Sequence, residues 1–120
     1  MNKKTADSFL PLTHTTFYTL IALEQPLHGY GIMQKVDEIS QGEVKLGPGT
    51  LYGALSKLEK QGIIRKTAES DTEKGRKFYA LTDLGKQVAQ LEFKRLSDLV
   101  SASETYIKKI GGTSDGEKGI

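Results

Sequence analysis

Residues 47–67 read GPGTLYGALSKLEKQGIIRKT, and the order of these residues decides the fold. Pro48 suits the first turn of a helix, where the N–H it lacks would have no partner. Leu51, Ala54, Leu55 and Leu58 then recur at helical spacing and form one apolar stripe. Gly62 suits a left-handed cap that ends the helix. The spacing therefore predicts a helix over residues 48–61, with its leucines turned inward. The other side carries Thr50, Tyr52, Gly53, Ser56, Lys57 and Lys60, a polar and basic face with one aromatic. After the cap, residues 63–67 read as a strand.

Two helices are expected before this one. Over residues 13–24, Phe17, Leu20 and Ile21 share a face, with Tyr18, Ala22 and Leu23 beside them. Pro26 ends that segment, because the residue before proline is driven out of the helical region. Over residues 29–40, Ile32, Val36 and Ile39 recur at helical spacing, and Gly42 marks the end. Gly29 and Gly31 flank Tyr30 and permit a close helix-to-helix approach. After the strand at 63–67 comes a charged turn segment, residues 69–75, and a second strand, 76–81. A long helix follows over residues 82–110, with Thr82 as N-cap and Asp83 at the positive end of its dipole. Residues 1–7 are polar, and 111–120 are rich in glycine and charge, so both ends are expected to lack fixed order.

The fold class predicted is mostly α with a small β-hairpin, a winged helix-turn-helix domain over 1–81. A dimerisation helix follows over 82–110 and a disordered tail over 111–120. A helix of nearly thirty residues spans about 40 Å, more than a body of this size can cover. Leu91, Phe93, Leu96, Leu99, Val100 and Ile107 form surplus apolar surface on it, and an identical helix is the simplest cover. These six are the expected homodimer interface. Phe93, like Tyr106, could instead line a small-molecule pocket.

Composition narrows the function. The 120 residues are 37% hydrophobic and 27% charged, and contain no cysteine. That excludes disulfides, thiolate zinc sites and cysteine nucleophiles. The two histidines, His14 and His28, have no partners at metal-ligand spacing, so no metal or other cofactor is expected. No apolar run approaches the roughly 20 residues of a membrane span. A soluble, cytoplasmic protein without a membrane partner is expected. No catalytic triad, phosphate loop or paired catalytic carboxylates stand out, and no enzyme is expected. Net charge is only +2, but residues 48–81 hold seven basic and four acidic side chains. A local excess of this kind is what contact with a polyanion requires, although solvated surface lysines would give the same count.

The major groove of DNA admits one α-helix, and the second helix of a helix-turn-helix pair enters it. Here that helix is 48–61. Thr50, Tyr52 and Ser56 can bond phosphates or base edges, Lys57 and Lys60 can neutralise phosphates, and Gly53 keeps the face low. Tyr52 lies off the leucine stripe, although an aromatic there could also be core. The hairpin tip Lys74, Gly75, Arg76 and Lys77 suits a wing that touches the backbone or enters the minor groove. The partner expected is double-stranded DNA with a pseudo-palindromic site. The alternative is a winged-helix protein–protein interaction module that never meets DNA.

Three stretches resemble the PadR family of bacterial transcriptional regulators. They are Leu27-His28-Gly29-Tyr30-Gly31-Ile32, then Gly49-Thr50-Leu51-Tyr52-Gly53-Ala54-Leu55 with Leu58-Glu59 and Gly62-Ile63-Ile64, and Tyr79-Ala80-Leu81-Thr82 with Gly85-Lys86. The likeness covers about residues 12–100. It implies a winged-helix domain with a C-terminal dimerisation helix, and the single helix matches the short subfamily. It also implies repression of nearby genes, relieved by a small aromatic or drug-like effector at the dimer interface. In some members a tryptophan stacks on the drug, and this chain has no tryptophan.

Overall fold

The computed structural model describes residues 5–71 and 76–112, with backbone alone for 68–71. The elements run α1 His14–Ala22, β1 Leu27–His28, α2 Gly29–Ile39, α3 Pro48–Lys60, β2 Ile64–Asp71, β3 Arg76–Leu81 and α4 Asp83–Ile110. A short 3-10 turn, Ala6–Phe9, precedes them. This is the predicted mostly helical winged helix-turn-helix with a long final helix.

Local chemistry sets the boundaries. Thr13 caps α1, its Oγ1 accepting from the Thr16 N–H at 3.1 Å. Gly42, at φ 82°, turns the chain after α2, and its N–H returns to the Asp37 carbonyl at 2.8 Å. At the end of α3, Gly62 takes φ 78°. The Gly62 N–H donates to Glu59 O and the Ile63 N–H to Leu58 O, both at 3.0 Å. That pair of bonds is a Schellman cap, with Ile63 and Leu58 both turned into the core. Thr82 caps α4 by accepting from the Gly85 N–H at 3.0 Å, and its hydroxyl donates to Gly62 O at 2.5 Å. One threonine thus ties the start of α4 to the turn that ends α3.

The core joins the inward sides of all these elements. Leu20, Ile32, Val36, Leu51, Leu55, Ile63, Ile64 and Val88 are fully buried. Gly85 sits where α4 crosses the base of the hairpin. A Cβ there would overlap the backbone carbonyl of Ile63, so only glycine allows this approach.

Three expectations need correction. The sheet has three strands in the order β1-β3-β2, all antiparallel, not two. Leu27 and His28 lie opposite Tyr79 and Phe78, so the short segment before α2 extends the hairpin. Strand β2 continues through Glu69, Ser70 and Asp71, where a turn was expected, because Ser70 and Asp71 still pair with Lys77 and Arg76. The register breaks between Lys66 and Ser70. Last, Ala6 is buried against the core, and its turn packs on α4, so the chain is fixed earlier than its polar start suggested. Residues 1–4 and 113–120, including most of the expected tail, lie outside the described residues, as do Lys74 and Gly75 of the hairpin.

Candidate nucleic-acid interface

Helix α3 presents two unlike sides. Leu51, Leu55 and Leu58 are buried, while Thr50, Tyr52, Gly53, Ser56, Lys57 and Lys60 are all exposed. Among the described residues, none buries this outer side. A Cβ placed on Gly49 or Gly53 would meet nothing within 4 Å. Gly53 lies mid-helix, where glycine costs about 1 kcal/mol relative to alanine. No packing among the described residues accounts for that cost. At the helix start, Gly47 has no side chain to cap the first turn. Uncapped N–H groups at the positive end of a helix dipole suit an anion.

Tyr52 is half exposed, at 49%, but it does not stand free. Its hydroxyl end leans on Gly29 at the start of α2, where a Cβ would overlap the ring. A side chain at position 29 would have to push the end of the Tyr52 ring aside, so Tyr52 is the contact that α3 makes with the start of α2. Nearby, burial pushes the Tyr79 phenol above its ordinary pKa, with the Glu59 and Tyr52 charges adding to the rise. His28 caps α2 by accepting from the Gly31 N–H at Nδ1, 3.0 Å away. Its ring meets Phe78 edge-on at 5.4 Å. Tyr30, beside Gly29, is 52% exposed and was not singled out from sequence. Its signal was available, because it falls off the Ile32/Val36/Ile39 stripe.

On the hairpin, Lys77 is exposed and Arg76 is half-buried at the start of β3. The structure thus places the α3 set on one continuous side, and Arg76 and Lys77 on the wing.

The expected interface residues sit on α4, whose buried positions, Gly85, Val88 and Glu92, all lie in its first half. Beyond them the helix leaves the body. Leu91, Phe93, Leu99, Val100 and Ile107 are exposed and Leu96 is half-buried. Phe93, Leu96, Val100, Ser103, Ile107 and Ile110 alternate steps of three and four, the spacing of a coiled-coil seam. Phe17 of α1 faces the upper part of this stripe, and an open apolar groove runs between Phe17, Phe93, Leu96 and Val100. Among the described residues, no helix is long and apolar enough to cross a membrane.

Sequence reasoning also missed Glu92, a carboxylate only 1% exposed. It accepts from the Leu12 N–H at 3.1 Å and from Arg95 Nε at 2.7 Å and Nη2 at 3.0 Å. The Arg95 hydrogen bonds hold its carboxyl below the usual range, opposed by burial and helped by the Leu12 N–H.

Three helices, a three-stranded wing and an outward basic helix face define a winged helix-turn-helix protein of the transcription-regulator class. The chain belongs to the transcriptional regulator PadR-like family, whose model matches residues 12–91. Members of that family are regulators, not enzymes. The chain is similar to the transcriptional regulator YqjI of Escherichia coli K12, 35% identical over 60 residues, which are 50% of this chain and 28% of that one. It is 37% identical over 74 residues to an uncharacterized 37.1 kDa protein in transposon TN4556 of Streptomyces fradiae, covering 62% of this chain and 20% of that one. The chain thus matches under a third of the length of either relative. A PadR family transcription regulator from Clostridium difficile R20291 superposes with TM-score 0.62 at 27% identity, covering 76% of this chain and 97% of that one.

Proposed function

We propose that this regulator is a cytoplasmic homodimeric repressor that grips a pseudo-palindromic DNA site with the outer side of α3. The observation that carries the reading is the uncovered α3 face. Thr50, Tyr52, Ser56, Lys57 and Lys60 are all exposed, and Gly53 is small where nothing among the described residues needs it to be. A requirement from outside the subunit accounts for that glycine, and a duplex approached closely by backbone supplies one. Arg76 and Lys77, with Lys74 and Gly75, form the wing contact. Residues 1–81 act as the DNA-binding part and 82–110 as the dimer helix. The pairing surface is Leu91, Phe93, Leu96, Leu99, Val100 and Ile107. A small aromatic or drug-like effector relieves repression by entering the dimer interface, where the groove beside Phe17 offers apolar walls.

The reading is tested by the salt dependence of DNA affinity. Each phosphate neutralised by a lysine adds about 0.9 to the slope of log affinity against log salt. A dimer holds two copies of Lys57. Lys57→Ala is therefore expected to weaken binding to all sequences and to shallow the slope by nearly two units. Fluorescence anisotropy over a salt series measures it, and an unchanged slope removes Lys57 from the phosphate contacts.

A further inference from the structure

We infer that Glu92 is a positioning residue that sets the angle of α4 against the DNA-binding body, and so the separation of the two α3 helices. The inference rests on the dimeric reading above.

Glu92 is the one buried charged side chain among the described residues. It joins two segments that are otherwise separate, the stretch before α1 and the first turns of α4. Its Oε2 takes the Leu12 N–H, 80 residues away in the chain, and both its oxygens are held by Arg95 one turn further along α4. A buried ion pair seldom stabilises more than well-packed apolar side chains would, because desolvation offsets the attraction. What such a pair does provide is direction. The Arg95 guanidinium travels with α4 and holds the carboxylate in one rotamer; a carboxylate so held must present its oxygen to the Leu12 N–H, which narrows the orientations open to the helix, whereas leucine in the same space accepts several.

The placement makes that orientation matter. Helix α4 is anchored to the body along one face, from Gly85 through the buried Val88 to Glu92, and the two ends of that contact set its angle. The first is Gly85, pressed on the Ile63 carbonyl. The second is Glu92, two turns later. These anchors are about 10 Å apart at 1.5 Å per residue, while Ile110 lies about 37 Å from the first. A shift of α4 at Glu92 is therefore magnified three- to fourfold at the helix tip. No residue of α4 after Glu92 is buried in the subunit. On the body side the clamp adjoins α3. Leu12 and Phe9 face Ala54, Lys57 and Leu58 of α3 across a small cavity. The clamp thus links the pairing helix to the recognition helix through one short segment.

The test uses the absence of cysteine. Lys60→Cys gives one spin label per protomer at the end of α3, and pulsed electron–electron resonance on frozen protein reads the distance between the two labels. The otherwise unaltered chain is expected to give a single narrow distribution. Glu92→Met fills a similar volume without accepting a hydrogen bond, and is expected to broaden the distribution about twofold or more, given the lever ratio. Glu92→Gln keeps an acceptor for the Leu12 N–H and is expected to restore most of the narrowness. Should Glu92→Met fail to fold, the double variant Glu92→Met/Arg95→Met carries the same comparison, since it also removes the guanidinium left without its carboxylate while still offering the Leu12 N–H no acceptor. A distribution as narrow as that of the unaltered Glu92 chain overturns the inference, even if the melting temperature falls, because a purely structural role changes stability alone. A label that finds no partner at all defeats the dimeric reading first, and this inference with it.

Discussion

In the proposed dimer, Val100→Asp is expected to separate the subunits without unfolding them. Val100 is 64% exposed in the single subunit, so an aspartate there meets water and should change monomer stability by no more than about 0.5 kcal/mol. In the pair it would sit inside the seam, between the Phe93/Leu96 and Ile107 levels. A buried charge without a partner costs about 3–5 kcal/mol, and a two-fold interface holds two of them. The dimer dissociation constant is therefore expected to rise by about four orders of magnitude or more. Sedimentation velocity reads the mass, and a thermal melt reads the fold. A Val100→Asp protein that still sediments as a dimer would place the pairing surface elsewhere.

Two glycine substitutions are expected to move stability in opposite directions. Gly85→Ala puts a methyl group into the carbonyl of Ile63, a backbone atom that cannot rotate away. Helix α4 must then lift off the hairpin base, and the Thr82 bond to Gly62 is strained with it. The expected loss is about 3 kcal/mol, at the upper end of overpacking costs, or about 10 °C in melting temperature. Gly53→Ala meets open space. It should gain up to about 1 kcal/mol of helix propensity, raise the melting temperature by a few degrees, and still weaken DNA binding. Calorimetry and anisotropy on the same two proteins separate an inward need for glycine from an outward one. A Gly53→Ala protein that binds DNA as well as before would leave that glycine without a physical account.

Much of this architecture could be read from local signals. The leucine spacing of α3, the cap at Gly62 and the N-cap at Thr82 each depend on residues within one or two turns, and each stands where the sequence placed it. What could not be read depends on partners far along the chain. Strand β1 has two residues and no pattern of its own; it exists because Tyr79 and Phe78 lie beside it. Tyr52 reads as a surface aromatic until α2 is known to cross it at Gly29. Glu92 looks like any solvated acid on a helix. Its only local sign is that it falls on the Gly85/Val88 side of α4, with an arginine three residues on, and its deciding partner is the Leu12 N–H. The polar first residues gave no hint that Ala6 would be buried, since one alanine carries little pattern.

The central claim is that the side of α3 opposite its leucines meets the duplex. Lysine labelling by reductive methylation tests it directly, with and without a saturating mixed-sequence duplex of about 24 base pairs at low salt, where non-specific binding suffices. Lys57, Lys60 and Lys77 are expected to be protected in the complex, while Lys108 and Lys109 at the far end of α4 label at the rate of the free protein. Bound protein in which Lys57 and Lys60 react as fast as they do without DNA would contradict the account.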